Sequence, residues 1–313
     1  MAELLADKRS ENTRRAYARD LKDFFQSAAG HEPTPQLIAE FLKLERFTAI
    51  ALVLQYKAAL IEKGLTEATV NRRLASIKSL VKYAQKIGRC DWSLEEVEGE
   101  RVSQYRDTSG IDQDAYARLL ATCDRSTRLG KRNYALLLLL WSNVLRRGEV
   151  VKCNCSDFNP ELRTLQILGK GRGTQAEAVS LSTATVEAIA IWLEARGTHQ
   201  PAEPLFISLS NSSYGHRLSG NALYNLVTEA AIAAGISKHM SPHRTRHSGI
   251  TAALDATGGD VRRVQKLSRH RRLDTLMIYD DQRKNAQGEI TDLLSGLVDS
   301  AGDGSARVNP GPG

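Results

Sequence analysis

The chain has 313 residues, 42% of them hydrophobic, and carries 43 basic against 36 acidic side chains for a formal charge of +7. That length suits two ordinary cores, and the basic balance favours a polyanionic partner such as nucleic acid. Four scattered cysteines (Cys90, Cys123, Cys153, Cys155) exclude a disulfide scaffold, and the apolar run Tyr134 to Trp141 falls far short of the roughly 20 residues a membrane span needs.

No apolar run precedes the charges of "MAELLADKRSENTRRAY", so no secretory signal is expected and a reducing, cytoplasmic setting is the simplest. Helices are predicted over Ser10–Ala28, with Tyr17, Leu21, Phe24 and Phe25 on one face, then over Thr34–Leu44 and Thr48–Lys63. Gly64 ends the third, and Thr66 is placed to cap a fourth. In that fourth helix Val70, Leu74, Ile77, Val81 and Ala84 form a core-facing stripe. Arg72, Arg73, Lys78 and Lys82 occupy its other faces, in a stretch free of acids from Ala68 to Cys90, and are candidates for phosphate contact. Residues 89–108 are polar and aperiodic, and read as a linker. Beyond them the pattern is mixed. Helices are predicted near Asp112–Cys123 and Lys131–Asn143. A β-hairpin follows, with strands "TLQILGK" and "AEAVSLS" about the turn "GKGRG". Further helices are predicted near Thr183–Ala195, Ser219–Ala234, Pro242–Ala256, Asp260–Leu267 and Thr275–Asp280. A last amphipathic one over Glu289–Val298 carries Ile290, Leu293, Leu294 and Leu297. The expected architecture is mainly α with a small β-hairpin or sheet: a helical domain over 1–88, a linker over 89–108, a second domain over 109–298 and a disordered tail over 299–313.

Several motifs carry polar chemistry. "GKGRG" lacks the spacing of a nucleotide-binding P-loop and lies between strands, so it reads as a hairpin tip presenting Lys170 and Arg172. His239, His243 and His247 stand four apart, but Pro242 puts His239 before the helix, and no glutamate lies between His243 and His247 as a metalloprotease would need. Cys153 and Cys155 have no second pair, so no metal site is expected. His243 and Arg246, at i and i+3 near a helix N-terminus, share a face and suit an anion. Arg146 ends the buried "YALLLLLW" segment, with Glu149 as its nearest ion-pair partner. "LSRHRRLDTLMIY" puts His270 nine residues before Tyr279, a basic segment ending on a hydroxyl that can act as a nucleophile. Arg244 and Arg269 are further candidates for DNA contact.

The order Arg146, Lys170, His243 with Arg246, His270, Tyr279 resembles that of the tyrosine recombinases, or phage integrases, a family that includes Cre and the Xer-type resolvases. The resemblance runs from about Ser10 to Val298. "TRRAYARDLKDF" and "LTEATVNRRLASIKSLVKYAQKIG" are similar to the first and last helices of its SAM-like core-binding domain; "LRRGEV", "LGKG" and "PHRTRHS" are similar to its catalytic motifs. The chain departs from the family pattern at Asn143 and Val144, where threonine and glycine are usual. It departs also at Thr245, a common leucine, at Ser268 and Arg269, where Leu-Gly is frequent, and at Asp280 and Asp281 after the tyrosine.

The resemblance implies a C-shaped two-domain DNA clamp and a strand exchange needing neither metal nor ATP, through a 3′-phosphotyrosine link and a Holliday junction. It makes Tyr279 the nucleophile and Lys170 the acid for the leaving 5′ oxygen. Arg146, Arg246, His243 and His270 become the phosphate and proton-handling groups, with Glu149 supporting from behind. It also implies a tetramer on two DNA sites, docked through the helix around Glu289–Val298. Two other readings stay open on residues alone: a type IB topoisomerase, which shares this catalytic set, and a DNA-binding regulator that has lost catalysis.

Overall fold

The computed structural model describes residues 1–102, 110–169, 175–277, 279 and 286–303, and, within the last helix, the side chains of 288 and 290–298. They fall into two compact units, Met1–Arg106 and Asp107–Gly313.

The first unit is helical: α1 (Ala2–Asp7), α2 (Glu11–Ala29), α3 (Pro35–Lys43), α4 (Arg46–Glu62) and α5 (Glu67–Lys86). Local chemistry sets the ends. The Ser10 hydroxyl accepts the Thr13 N–H, Thr34 caps α3 with Pro35 in its first turn, and Gly30 closes α2 at φ 75°. Glu45 caps α4, which starts at Arg46 rather than Thr48, and the Thr66 hydroxyl bonds the Thr69 hydroxyl rather than a backbone N–H. The stripe Val70, Leu74, Ile77, Val81 and Ala84 is buried as its period predicts. It meets a nest of edge-to-face rings formed by Phe24, Phe25, Phe41 and Tyr56.

Two features differ from the sequence reading. Helix α1 precedes Ser10 and buries Leu4 in this core. The first part of the expected linker also belongs to it: Trp92, Leu94 and Val97 are buried, Trp92 edge-on to Phe41 at 5.6 Å. The Asn71 side chain fixes the backbone of Glu100, donating to its carbonyl at 2.8 Å and accepting its N–H at 2.6 Å. Apolar side chains at irregular spacing follow no helical or strand period, yet they bury equally well.

The second unit holds α6 (Gln113–Ala121), α7 (Arg128–Ser142), α8 (Arg147–Val150), β1 (Phe158–Asn159), β2 (Thr164–Leu168), β3 (Ala176–Ser180), α9 (Thr183–Arg196), α10 (Gly220–Ala233), α11 (Pro242–Ala256), α12 (Val261–Ser268) and α13 (Ala286–Asp303), with a helical turn at 274–277. The hairpin forms, Leu165 opposite Val179 and Ile167 opposite Glu177. The short β1 adds a third antiparallel strand that the sequence reading missed. The turn expected over Lys170–Gly173 lies outside the described residues. Helix α7 is the spine of the core: Leu136, Leu137, Leu139 and Leu140 are fully buried, and α9 and α11 pack on it. A smaller cluster of Val144, Ile250, Leu254, Val264, Leu276 and Tyr279 sits beside this core. Helix α13 leaves Ile290, Leu293, Leu294, Leu297 and Val298 exposed, and it runs on to Asp303, past the point where a disordered tail was expected.

Candidate active site

After α7 the chain turns sharply. Val144 adopts φ 43°, a left-handed conformation that is a true outlier for a β-branched residue, although its side chain is fully buried. Asn143 donates to the Ser180 carbonyl at 2.7 Å, which ties this turn to β3. The turn delivers Arg146 to the start of α8. There Glu149, 2% exposed, folds back on it: Oε2 accepts the Arg146 backbone N–H at 2.9 Å, and Oε1 accepts from Nη1 at 2.8 Å.

Arg246 comes from the second turn of α11 and is buried. Its Nη1 donates to the carbonyl of Val144 and its Nη2 to that of Ser268, so one guanidinium bridges the turn after α7 and the end of α12. Nη2 also lies 3.3 Å from Nε2 of His270. A guanidinium can only donate, so that imidazole nitrogen accepts and its proton sits on Nδ1. Gln265 fixes His270 further by donating to its carbonyl at 3.0 Å.

Tyr279, 4% exposed, joins these groups through its ring. Its centroid lies 6.2 Å from His270 and 5.1 Å from His247, which in turn meets His243 at 4.2 Å. His243 itself is exposed, on the same end of α11 as Arg246.

Electrostatics follow from this crowding of cations in a buried place. Burial, reinforced by Arg146 and Arg269, lowers Arg246 to about 10, so it stays charged at neutral pH. Burial and the neighbouring guanidiniums lower His270 to about 4. Burial, with His243 and Arg246, lowers His247 to about 3, so both imidazoles are neutral at pH 7. Burial opposes ionisation of Glu149, but the Arg146 N–H and the charges of Arg269 and Arg146 prevail and hold its carboxyl below the ordinary range.

The structure thus brings together Arg146, Glu149, Arg246, His270 and Tyr279, with His243 joined through His247. Lys170 and Arg172 lie outside the described residues. The sequence reading weighed His247 only as a metal ligand and missed it as the ring between His243 and Tyr279; its signal was the i+4 spacing from His243. Three of the expected DNA contacts have carboxylate partners within the protein. Arg72 bonds the buried Asp20 with its own side chain half-buried, and Arg73 bonds Asp23 beside the Tyr56 hydroxyl. Arg269 is 7% exposed and donates through Nη2 to Glu149 at 2.9 Å, because its left-handed backbone (φ 56°) aims it into the site. Arg244 is half-buried, Lys78 half-buried and Lys82 exposed. Among the described residues no cluster of histidine, cysteine and acids is arranged to hold a metal. His239 pairs with the Tyr224 hydroxyl at 2.8 Å, and all four cysteines are free.

The phage integrase family model matches residues 110–286, and the model of the phage integrase N-terminal SAM-like domain matches residues 1–88. The chain belongs to the phage integrase family. Tyrosine recombinases of Synechocystis sp. and Synechococcus elongatus are 52% and 51% identical to this integrase-family chain; the matches cover 95% of it and 95% of the first relative, and 94% of it and 92% of the second. The tyrosine recombinase XerD of Oceanobacillus iheyensis is 28% identical over 86% of this chain and 87% of its own. Two solved structures share the fold. One is a XerH site-specific recombinase bound to its palindromic difH substrate in a post-cleavage complex (TM-score 0.65, 21% identity, 90% of this chain and 80% of that one). The other is a lambda integrase dimer bound to a COC′ core site (TM-score 0.63, 14% identity, 90% and 93%). Within this integrase fold, Val144 and Arg269 carry side chains at two left-handed positions, where glycine is sterically easier.

Proposed function

We propose that the chain is a site-specific tyrosine recombinase of DNA in which Tyr279 is the nucleophile. The observation that carries this is Arg246. It is pinned on two backbone carbonyls from separate segments and touches His270, whose ring in turn approaches Tyr279. Such a guanidinium is held in place before substrate arrives. Preorganised donors of this kind typically contribute roughly 3 kcal/mol each to a transition state that gains negative charge.

In the proposed step the Tyr279 oxygen attacks a DNA phosphorus and the bond to the 5′ oxygen breaks. A 3′-phosphotyrosine link forms, and the 5′ oxygen leaves as a hydroxyl with a proton from Lys170. The tyrosine proton passes to His243 or to water. Arg146 holds the non-bridging oxygens with paired N–H donors, a geometry lysine lacks; Arg246 adds its charge and its remaining N–H donors, and His270 orients Arg246. Because the link conserves the bond, the 5′ hydroxyl of another strand reverses the step with neither ATP nor metal. Two such rounds pass through a Holliday junction.

Lys78, Lys82 and Arg244, with Arg172 of the segment between β2 and β3, are the proposed contacts to DNA phosphates, and the helical unit is the proposed core-binding domain. The exposed apolar face of α13 is the proposed docking element of a tetramer on two sites. The relatives at 51–52% identity carry the name tyrosine recombinase, and the two structural neighbours are held on DNA, which supports the reading. The test is covalent capture. Wild-type protein incubated with fragmented DNA of its source and then denatured retains DNA at one recurring sequence, and Tyr279→Phe retains none.

A further inference from the structure

The buried carboxylate of Glu149 serves two cations. Oε1 takes the Arg146 guanidinium; Oε2 takes the Arg146 backbone N–H and, at 2.9 Å, Nη2 of Arg269. Arg269 reaches it from the C-terminal end of α12. On the way its Nη1 donates to the Leu267 carbonyl at 2.9 Å and lies 3.4 Å from that of Asn143. The side chain therefore spans from the segment leading to Tyr279 across to the turn that delivers Arg146. It does so from a left-handed backbone position, where an arginine is strained and a glycine is not. With Arg269 present, two guanidiniums share one carboxylate. Without it, the same carboxylate would face Arg146 alone and offset its charge.

We propose that Arg269 is a positioning residue for Arg146. It takes up half of the Glu149 carboxylate, so that Arg146 is held in orientation yet keeps its charge available to a DNA phosphate. Two other groups bear on Arg269: Glu177 of β3 favours its charge, and Arg146 opposes it. The role deepens the recombinase reading and rests on it. A purely structural part for Arg269 makes a different prediction. If Arg269 only stabilises the fold, removing the Glu149 charge as well brings no recovery. If Arg269 acts by sharing that charge, removing it frees Arg146 again.

The experiment measures single-turnover formation of the tyrosine–DNA link on a nicked duplex carrying the sequence captured by wild type, with thermal unfolding of each variant alongside. Arg269→Gly suits the backbone and is expected to slow the link by roughly tenfold or more, within the range of couplings between contacting charged residues. Arg269→Lys, which keeps the charge and loses the fork, falls between it and wild type. The double variant Arg269→Gly/Glu149→Gln forms the link faster than Arg269→Gly alone. If Arg269→Gly does not fold, Arg269→Gln carries the same comparisons. A single variant as fast as wild type, or a double variant no faster than the single, overturns the role while leaving the recombinase reading intact. A wild type that forms no link refutes that reading, and the role of Arg269 with it.

Discussion

Helices α7 and α11 cross at Gly249, and the site depends on that crossing, because Arg246 of α11 is fastened to the Val144 carbonyl just beyond α7. A methyl group at position 249 would stand 2.7 Å from Cγ1 of Val144 and 2.9 Å from the carbonyl oxygen of Trp141, against 3.4–4 Å for ordinary contact. The Val144 side chain has nowhere to go, being fully buried on a left-handed backbone, and the Trp141 oxygen belongs to the last turn of α7. The helices must therefore part. On an open helix face Gly→Ala would stabilise by about 1 kcal/mol. Here overpacking, typically about 1–3 kcal/mol, opposes that gain. The shift also loosens a buried charge-assisted hydrogen bond, worth roughly 1.5–3 kcal/mol. Gly249→Ala should lose on the order of 1–3 kcal/mol net, which for a unit of this size lowers Tm by about 2–4 °C per kcal/mol. Calorimetry on the full chain reads the shift, and covalent capture on the same variant should show slower cleavage, since Arg246 moves with α11. A Tm that rises, as propensity alone predicts, would refute the close-packing argument.

Two further outcomes follow from groups already placed. His270 and His247 are held neutral by burial, at about 4 and about 3, while in the unfolded chain each returns to the ordinary range near 6.5. The unfolded state then binds more protons below that value, so this contribution to stability is intact above pH 6.5 and is lost as pH falls from there toward 4 for His270 and toward 3 for His247. Unfolding curves across that window should show Tm dropping, and His247→Gln should drop less steeply; equal slopes would contradict the buried, neutral state. Leu294 and Leu297 on α13 are each 59% exposed, so Leu294→Ser/Leu297→Ser should change stability by about 0.5 kcal/mol or less per site and move Tm little. The same pair should abolish assembly beyond a monomer on DNA, measured by analytical ultracentrifugation. Unchanged assembly would assign α13 to another contact.

Much of this was legible in the sequence, for identifiable physical reasons. Helices with a strong apolar stripe, such as α5, and capped starts, such as Ser10 and Thr34, emerge where their period says they should. The polar groups of the site could be put in order because motif context survives in a sequence. What stayed hidden depends on distant partners or on backbone conformation. The polar face of α5 gives no sign that Arg72 and Arg73 have carboxylates waiting on α2, at Asp20 and Asp23. Trp92, Leu94 and Val97 bury without a period, so they resembled a linker. Val144 and Arg269 adopt left-handed φ without being glycine, so nothing in their chemistry announces the turns they make. The inward aim of Arg269, and with it the sharing of Glu149, appears only once that backbone is known.

The central claim is that Tyr279 becomes covalently joined to DNA, and the most direct measurement is mass spectrometry of the peptide left on DNA after capture, denaturation and digestion. The account predicts one nucleotide-bearing peptide, linked at Tyr279 through a 3′ phosphate and absent from Tyr279→Phe. A link at another residue, or none on DNA that the protein demonstrably binds, would contradict it.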